Sequence, residues 1–149
     1  MSAYNQITTQ MTEMSCLKKA LEKTPRHRST PQGKKAVTFQ PVLHNIATKL
    51  EGYHGDKRVQ TAELVIPRAQ VGSASNEIGF KKQTDGTIKA IISDFDQGQG
   101  YNAEWLKKLA TTYNEVRVEE KLDMQDFGVI ERTALPNGKV RLQFAQRGA

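Results

Sequence analysis

The sequence predicts an α+β fold, with a mostly antiparallel sheet (a meander plus a C-terminal hairpin) packed by two main helices. Three observations predict it. Short stretches of apolar residues alternating with polar ones follow one another through the middle of the chain, and period two is the mark of a half-buried strand. Asp85-Gly86 and Asn137-Gly138 lie between such stretches, and these dipeptides supply the positive φ angles that a tight hairpin turn requires. Two further stretches, around Leu17 and around Leu109, carry their apolar residues at helical spacing instead.

Taken in order, Tyr4 to Met11 alternates and reads as a strand with Ile7 and Met11 inward. Thr12 stands where a helix N-cap is wanted, since its hydroxyl can accept an orphan backbone N–H. The helix that follows buries Cys16, Leu17, Ala20 and Leu21, and Thr24-Pro25 ends it. The segment 24–41 reads as a basic loop insertion in an otherwise single domain spanning 1–149, with a short strand at Ala36 to Gln40. Leu43, Ile46, Ala47 and Leu50 recur at helical spacing, so Val42 to Glu51 is expected to be a short helix. Gly52 to Gly55 is a turn. Thr61 to Pro67, Glu77 to Lys82 and Ile88 to Asp94 are strands joined by short turns, an antiparallel meander. Asn102 can cap a second helix through Trp105, Leu106, Leu109, Ala110, Tyr113 and Val116. The stretch 115–124 fits either a continued helix or a strand. Gly128 to Arg132 and Val140 to Ala145 close the chain as a hairpin.

The chain has 149 residues, enough for one domain with a substantial core, and 37% of them are hydrophobic. No apolar run reaches the roughly 18 to 20 residues of a membrane span. One cysteine excludes an internal disulfide and suits a reducing compartment, the cytoplasm or a plastid stroma. The net charge of +6 is unevenly placed: residues 17–58 carry +7 and the remainder about −1. Lys18, Lys19, Arg26, Arg28, Lys34, Lys35, Lys57 and Arg58 are therefore candidate contacts for nucleic acid or an acidic partner. Against nucleic acid stands the lack of aromatic residues interleaved with these cations. A solvated basic loop is the simpler reading.

The remaining chemistry-bearing residues point away from catalysis. His27, His44 and His54 are scattered, so no metal site is expected. Cys16 lies on an apolar helix face, where a thiol is inert. Asp94 and Asp96 sit where acids cap turns. Gly98-Gln99-Gly100 lacks the third glycine and the lysine of a phosphate loop. No cofactor and no catalytic residue is expected. His54, between Gly52 and Gly55, and Asp94 form a candidate ligand loop.

Several short motifs occur in a suggestive order: Thr9-Gln10 with Cys16 to Leu21, Gly52 to Gly55, Ala62 to Ile66, Glu77 to Phe80, Asp85-Gly86, Asp94 with an aromatic after it, Leu106 with Leu109 and Tyr113, and Asn137 to Leu142. Their succession resembles the hypothetical chloroplast reading frame thirty-five family, an uncharacterised domain of plastids and cyanobacteria. The chain departs from it in the basic piece at about Pro25 to Pro41, in Phe95 where a tryptophan is expected, and in the order of Phe127-Gly128, which makes it a divergent member. The resemblance implies an α+β fold and a small soluble accessory protein, and it supplies no catalytic residues. The leading expectation is thus a non-enzymatic accessory or adaptor protein acting through protein–protein contacts. The alternative is nucleic-acid binding through segment 18–58, and the third is a small-ligand role joining the Gly52–Gly55 turn to the Asp94 loop.

Overall fold

A computed structural model of the chain describes residues 2–27, 37–124 and 127–146, with residues 127 and 130 described by backbone alone. Five strands make one antiparallel sheet in the order β1-β5-β4-β3-β2: β1 (Tyr4–Thr8), β2 (Val42–Glu51), β3 (Lys57–Ile66), β4 (Ile78–Lys82) and β5 (Ile88–Ser93). The run β3 to β5 is the expected meander, and β2 extends it at the edge. The opening strand then adds to the far side of β5, with Ile7 opposite Ala90. That places β4 at the centre with β5 and β3 on either side, and β5, now flanked by two strands, is buried over nearly its whole length.

One face of the sheet carries Leu64, Ile66, Ile78, Phe80, Ile88, Ala90 and Ile92. Two helices cover it, α1 (Met14–Glu22) and α4 (Ala103–Met124). From α1 come Cys16, Leu17, Ala20 and Leu21. From α4 come Trp105, Leu106, Leu109, Tyr113 and Val116. The spacing of each set puts it on one stripe of its helix, which is why these elements are helices that dock rather than strands. Leu17 and Leu21 are wholly buried, so truncating either to alanine costs about 2–5 kcal/mol.

The two helices are capped differently. Asn102 Oδ1 accepts from the Trp105 N–H at 3.1 Å, as its position in the sequence suggests. Thr12 does not cap α1. The N-cap position is Glu13, whose side chain makes no capping bond. The hydroxyl of Tyr113, a hundred residues away, accepts instead from the Thr12 N–H at 2.9 Å and the Glu13 N–H at 2.8 Å. A tertiary contact has replaced a local one.

Val42–Glu51 is a strand, not the expected helix. It pairs with β3 at the sheet edge, and its ladder is interrupted between Leu43 and Thr48. The apolar residues that mimic a helical stripe are divided there: Leu50 is buried, while Leu43 and Ile46 face solvent. The expected strand at 36–40 is reduced, within the described residues, to a single bridge between Thr38 and Pro25. Its neighbour Phe39 drops into the core. Asp94 does not end β5 but opens a short helix, α3 (Asp94–Gly98), and a one-turn helix α2 (Arg68–Val71) precedes β4. Residues 115–124 belong to α4.

The other face of the sheet holds a smaller apolar cluster of Leu50, Ala62, Val65 and Ile91, with Tyr4 packed against it. The β2–β3 hairpin folds over this face until its tip reaches β1 at the opposite edge. There the Arg58 guanidinium lies 4.8 Å from the centre of the Tyr4 ring and donates to the Ser2 carbonyl at 2.6 Å. Gly79 makes the close approach feasible, because a Cβ at that position would stand 2.7 Å from the Ala62 Cβ and 2.9 Å from Leu50 Cδ2. β6 (Phe127–Ala134) and β7 (Val140–Gln146) form a separate hairpin, turned at Gly138 with φ +81° and tied to α4 by a two-pronged Arg132–Glu115 pair at 2.9 Å. No helix among the described residues is long and apolar enough to cross a membrane.

Candidate functional site

The basic residues singled out from the sequence fall into two places. Lys18 and Lys19 project from α1. Lys18 pairs with Glu22 at 2.8 Å, and Lys19 pairs with Glu120 of α4. Arg26 lies just beyond the end of α1 and donates to the Thr38 carbonyl at 2.9 Å. Lys57 and Arg58 sit at the hairpin tip on the other side of the sheet, paired with Glu51 at 3.2 Å and Asp56 at 3.8 Å. Arg28, Lys34 and Lys35 lie outside the described residues. These cations therefore do not form a single surface among the described residues.

A cleft of about 390 Å³ opens where the chain leaves α1 and crosses α4. Lys23, Arg26 and His27 form one wall; Trp105, Lys108 and Thr112 stand on the other. The latter three lie at i, i+3 and i+7 of α4, so one helix face presents them together. The His27 ring stacks on Tyr101, with centroids 4.0 Å apart and planes 9° from parallel. Trp105 meets Tyr101 edge-on at 5.0 Å and His27 at 6.2 Å. The indole Nε1 is buried without a hydrogen-bond partner. An unpaired buried donor costs roughly 1–3 kcal/mol. All the charge on the described lining is positive, although Lys23 also reaches Glu119 at 3.6 Å. Folding thus supplies the aromatic rings that the basic segment lacks in its own sequence. Nothing in the sequence marks Tyr101, Trp105 or Lys108 as neighbours of Arg26. The signal available was that Lys108 follows Trp105 by three on a predicted helix.

The candidate ligand loop is half assembled. A hollow of about 240 Å³ joins Tyr53 and His54 to Ser2, Ala74, Asn76 and Phe95, so the Gly52–Gly55 turn does meet the residue after Asp94. Asp94 itself accepts from the Asn5 side chain. The neighbouring acid, Asp96, is fully buried. Its Oδ2 accepts from the Asn76 N–H at 3.0 Å and the Ser93 hydroxyl at 2.8 Å, while Ser93 Oγ caps α3. Asn76 in turn accepts from the Tyr53 N–H at 2.9 Å. These acids hold the turn and α3 in place.

Cys16 is wholly buried, with its sulfur 3.1 Å from both Glu13 Oε2 and Glu120 Oε2. Burial, together with the two carboxylates, pushes the thiol up to about 12, the direction that makes it unreactive. Burial likewise raises the Tyr4 hydroxyl well above its ordinary value, against the opposing pull of Arg58, and raises the Glu77 carboxyl. Among the described residues no group of three or more His, Cys, Asp or Glu side chains is placed to hold a metal ion.

The β2–β3 hairpin carries the third feature. Ile46 is 80% exposed and Val59 84% exposed, with Val42 and Leu43 also facing solvent. Among the described residues β2 pairs only with β3, so its other edge is open. Sequence reasoning missed this surface because it assigned these residues to a helix stripe.

No curated protein and no solved structure matches the chain. One family model does, over residues 39–143, more than two thirds of the chain. That span takes in β2 to β5, α2 to α4, β6 and most of β7, and leaves out β1 and α1. The chain belongs to the family described as "Protein of unknown function (DUF1257)".

Proposed function

We propose that the protein is a small accessory protein that works by binding another protein, with no catalytic step of its own. What supports this reading is the β2–β3 hairpin: among the described residues its edge strand β2 has a ladder partner on one side only, beside exposed Val42, Leu43 and Ile46. Such an edge is a template for an added strand. An extended segment of a partner pairing there gains main-chain hydrogen bonds, and the alternating side chains give specificity. The partner class is thus a protein with an extended apolar segment. The acids that invite an enzymatic reading are engaged in structure: Asp94 with Asn5, Asp96 with Asn76 and Ser93. The succession of motifs from Gly52 to Leu142 also supports placing the chain beside the hypothetical chloroplast reading frame thirty-five proteins, and the single cysteine supports a cytoplasmic or stromal setting.

The test pairs the full chain with an Ile46→Asp/Val59→Asp variant, both immobilised and exposed to native extract. Both positions are exposed, so the variant is expected to melt within about 0.5 kcal/mol of the parent. The reading expects a protein retained in fixed proportion by the parent and lost by the variant. Equal retention by both, or no protein retained by the parent, contradicts it.

A further inference from the structure

We propose that the cleft between Lys23–His27 and α4 binds single-stranded nucleic acid, taking a base against its aromatic wall and phosphates on its cations. The inference concerns a different surface from the hairpin and does not depend on it. Three observations carry it. The cleft, at about 390 Å³, has room for one nucleotide unit. The charge on its described lining is contributed by Lys23, Arg26 and Lys108, of which Lys23 also reaches Glu119 at 3.6 Å. Two aromatic rings line it, exposed His27 and Trp105 edge-on to it at 6.2 Å, and stacking on buried Tyr101 holds the His27 ring in place.

These features complement each other chemically. Stacking on an aromatic ring is sequence-tolerant and is worth about 1–3 kcal/mol per base. A single strand fits better than a duplex, because a duplex keeps the faces of its bases stacked inside. A strand fits better than a lone nucleotide, because a further exposed cation, Lys107, precedes Lys108 on α4.

Trp105 is the one tryptophan of the chain, so in the folded protein its emission comes from a side chain that lines this cleft. The experiment titrates the full-length protein with a twelve-nucleotide oligothymidylate and an oligouridylate at about 50 mM salt. Trp105 emission and the anisotropy of a labelled oligomer are followed together. With three phosphate contacts, affinity is expected to fall about 20-fold between 50 and 200 mM salt. Lys108→Ala, at an exposed position, is expected to lower the salt slope by about 0.7 and weaken binding without moving the melting temperature. His27→Ala is expected to reduce the quenching more than it reduces the salt slope. Thymidine monophosphate should bind at least tenfold more weakly than the oligomer, and duplex DNA should leave Trp105 emission unchanged. No binding at 50 mM salt, or wild-type affinity in Lys108→Ala, would falsify the proposal. So would equal quenching by polyphosphate or by duplex, which would make the site a plain polyanion patch. The Ile46→Asp/Val59→Asp variant should bind the oligomer as the parent does, so failure of either idea leaves the other standing.

Discussion

Replacing Tyr113 by phenylalanine removes one oxygen atom and leaves the ring in the core. The Tyr113 side chain is almost completely buried, so the phenyl ring keeps its packing. What is lost is the acceptor for two backbone donors, the Thr12 N–H at 2.9 Å and the Glu13 N–H at 2.8 Å. These donors open α1, and no capping side chain stands by to take over. Leaving a buried donor unpaired costs about 1–3 kcal/mol, and loss of a helix cap typically costs about 1 kcal/mol. Both N–H groups are only part-buried, and water recovers some of the loss. The expected destabilisation is therefore about 2 kcal/mol, not the sum of two full penalties. For a chain of this size that corresponds to a fall of about 4–8 °C in melting temperature. Urea melts followed by far-ultraviolet circular dichroism measure it, and Trp105 fluorescence gives an independent probe. A Tyr113→Phe variant within about 0.5 kcal/mol of the parent would show that α1 is not capped across the fold, and the reasoning would fail.

Three further outcomes follow from the packing and the charges. Gly79→Ala places a methyl group 2.7 Å from Ala62 Cβ and is expected to cost about 1–3 kcal/mol. Adding Ala62→Gly should recover part of that loss, and purely additive melts would contradict the contact. Cys16, held near 12 by burial and two carboxylates, should react with iodoacetamide at pH 8 on the order of 10³-fold more slowly in the native protein than in urea. Because the native thiol is harder to ionise than the unfolded one, its contribution to stability is complete below about pH 8.5 and declines as pH rises toward 12. A Cys16→Ser variant should flatten that alkaline decline, and an unchanged decline would mean other groups cause it.

Much of the fold was readable from local chemistry. The two turns containing Asp85-Gly86 and Asn137-Gly138 appear where the dipeptides demand them, and Gly86 and Gly138 adopt the positive φ expected. Asn102 caps α4, and the helical stripe from Trp105 to Val116 is the face that packs. The failures share one cause, a partner distant in sequence. Val42–Glu51 carries apolar residues at helical spacing, yet pairing with β3 decides its state and leaves Leu43 and Ile46 outside. Thr12 has the right side chain for a cap, but Tyr113 occupies the role. The continuation of α4 past Val116 was undecidable from its alternating charges. In the structure its Glu119 and Glu120 pair with Lys23 and Lys19 of the opening helical region. The aromatic partners of His27, Tyr101 and Trp105, lie some seventy to eighty residues downstream, and no spacing rule reaches that far. The sheet could be assembled from its turns; the hairpin edge and the cleft beside α4 could not.

The central claim is that this chain works through its exposed hairpin edge rather than through a reactive centre. The most direct measurement is the ratio of partner protein retained from native extract by the parent and by the Ile46→Asp/Val59→Asp variant, at matched loading and matched melting temperature. The account predicts a partner in constant stoichiometry on the parent and at least a tenfold loss on the variant. A ratio near one, with both proteins folded, would contradict it.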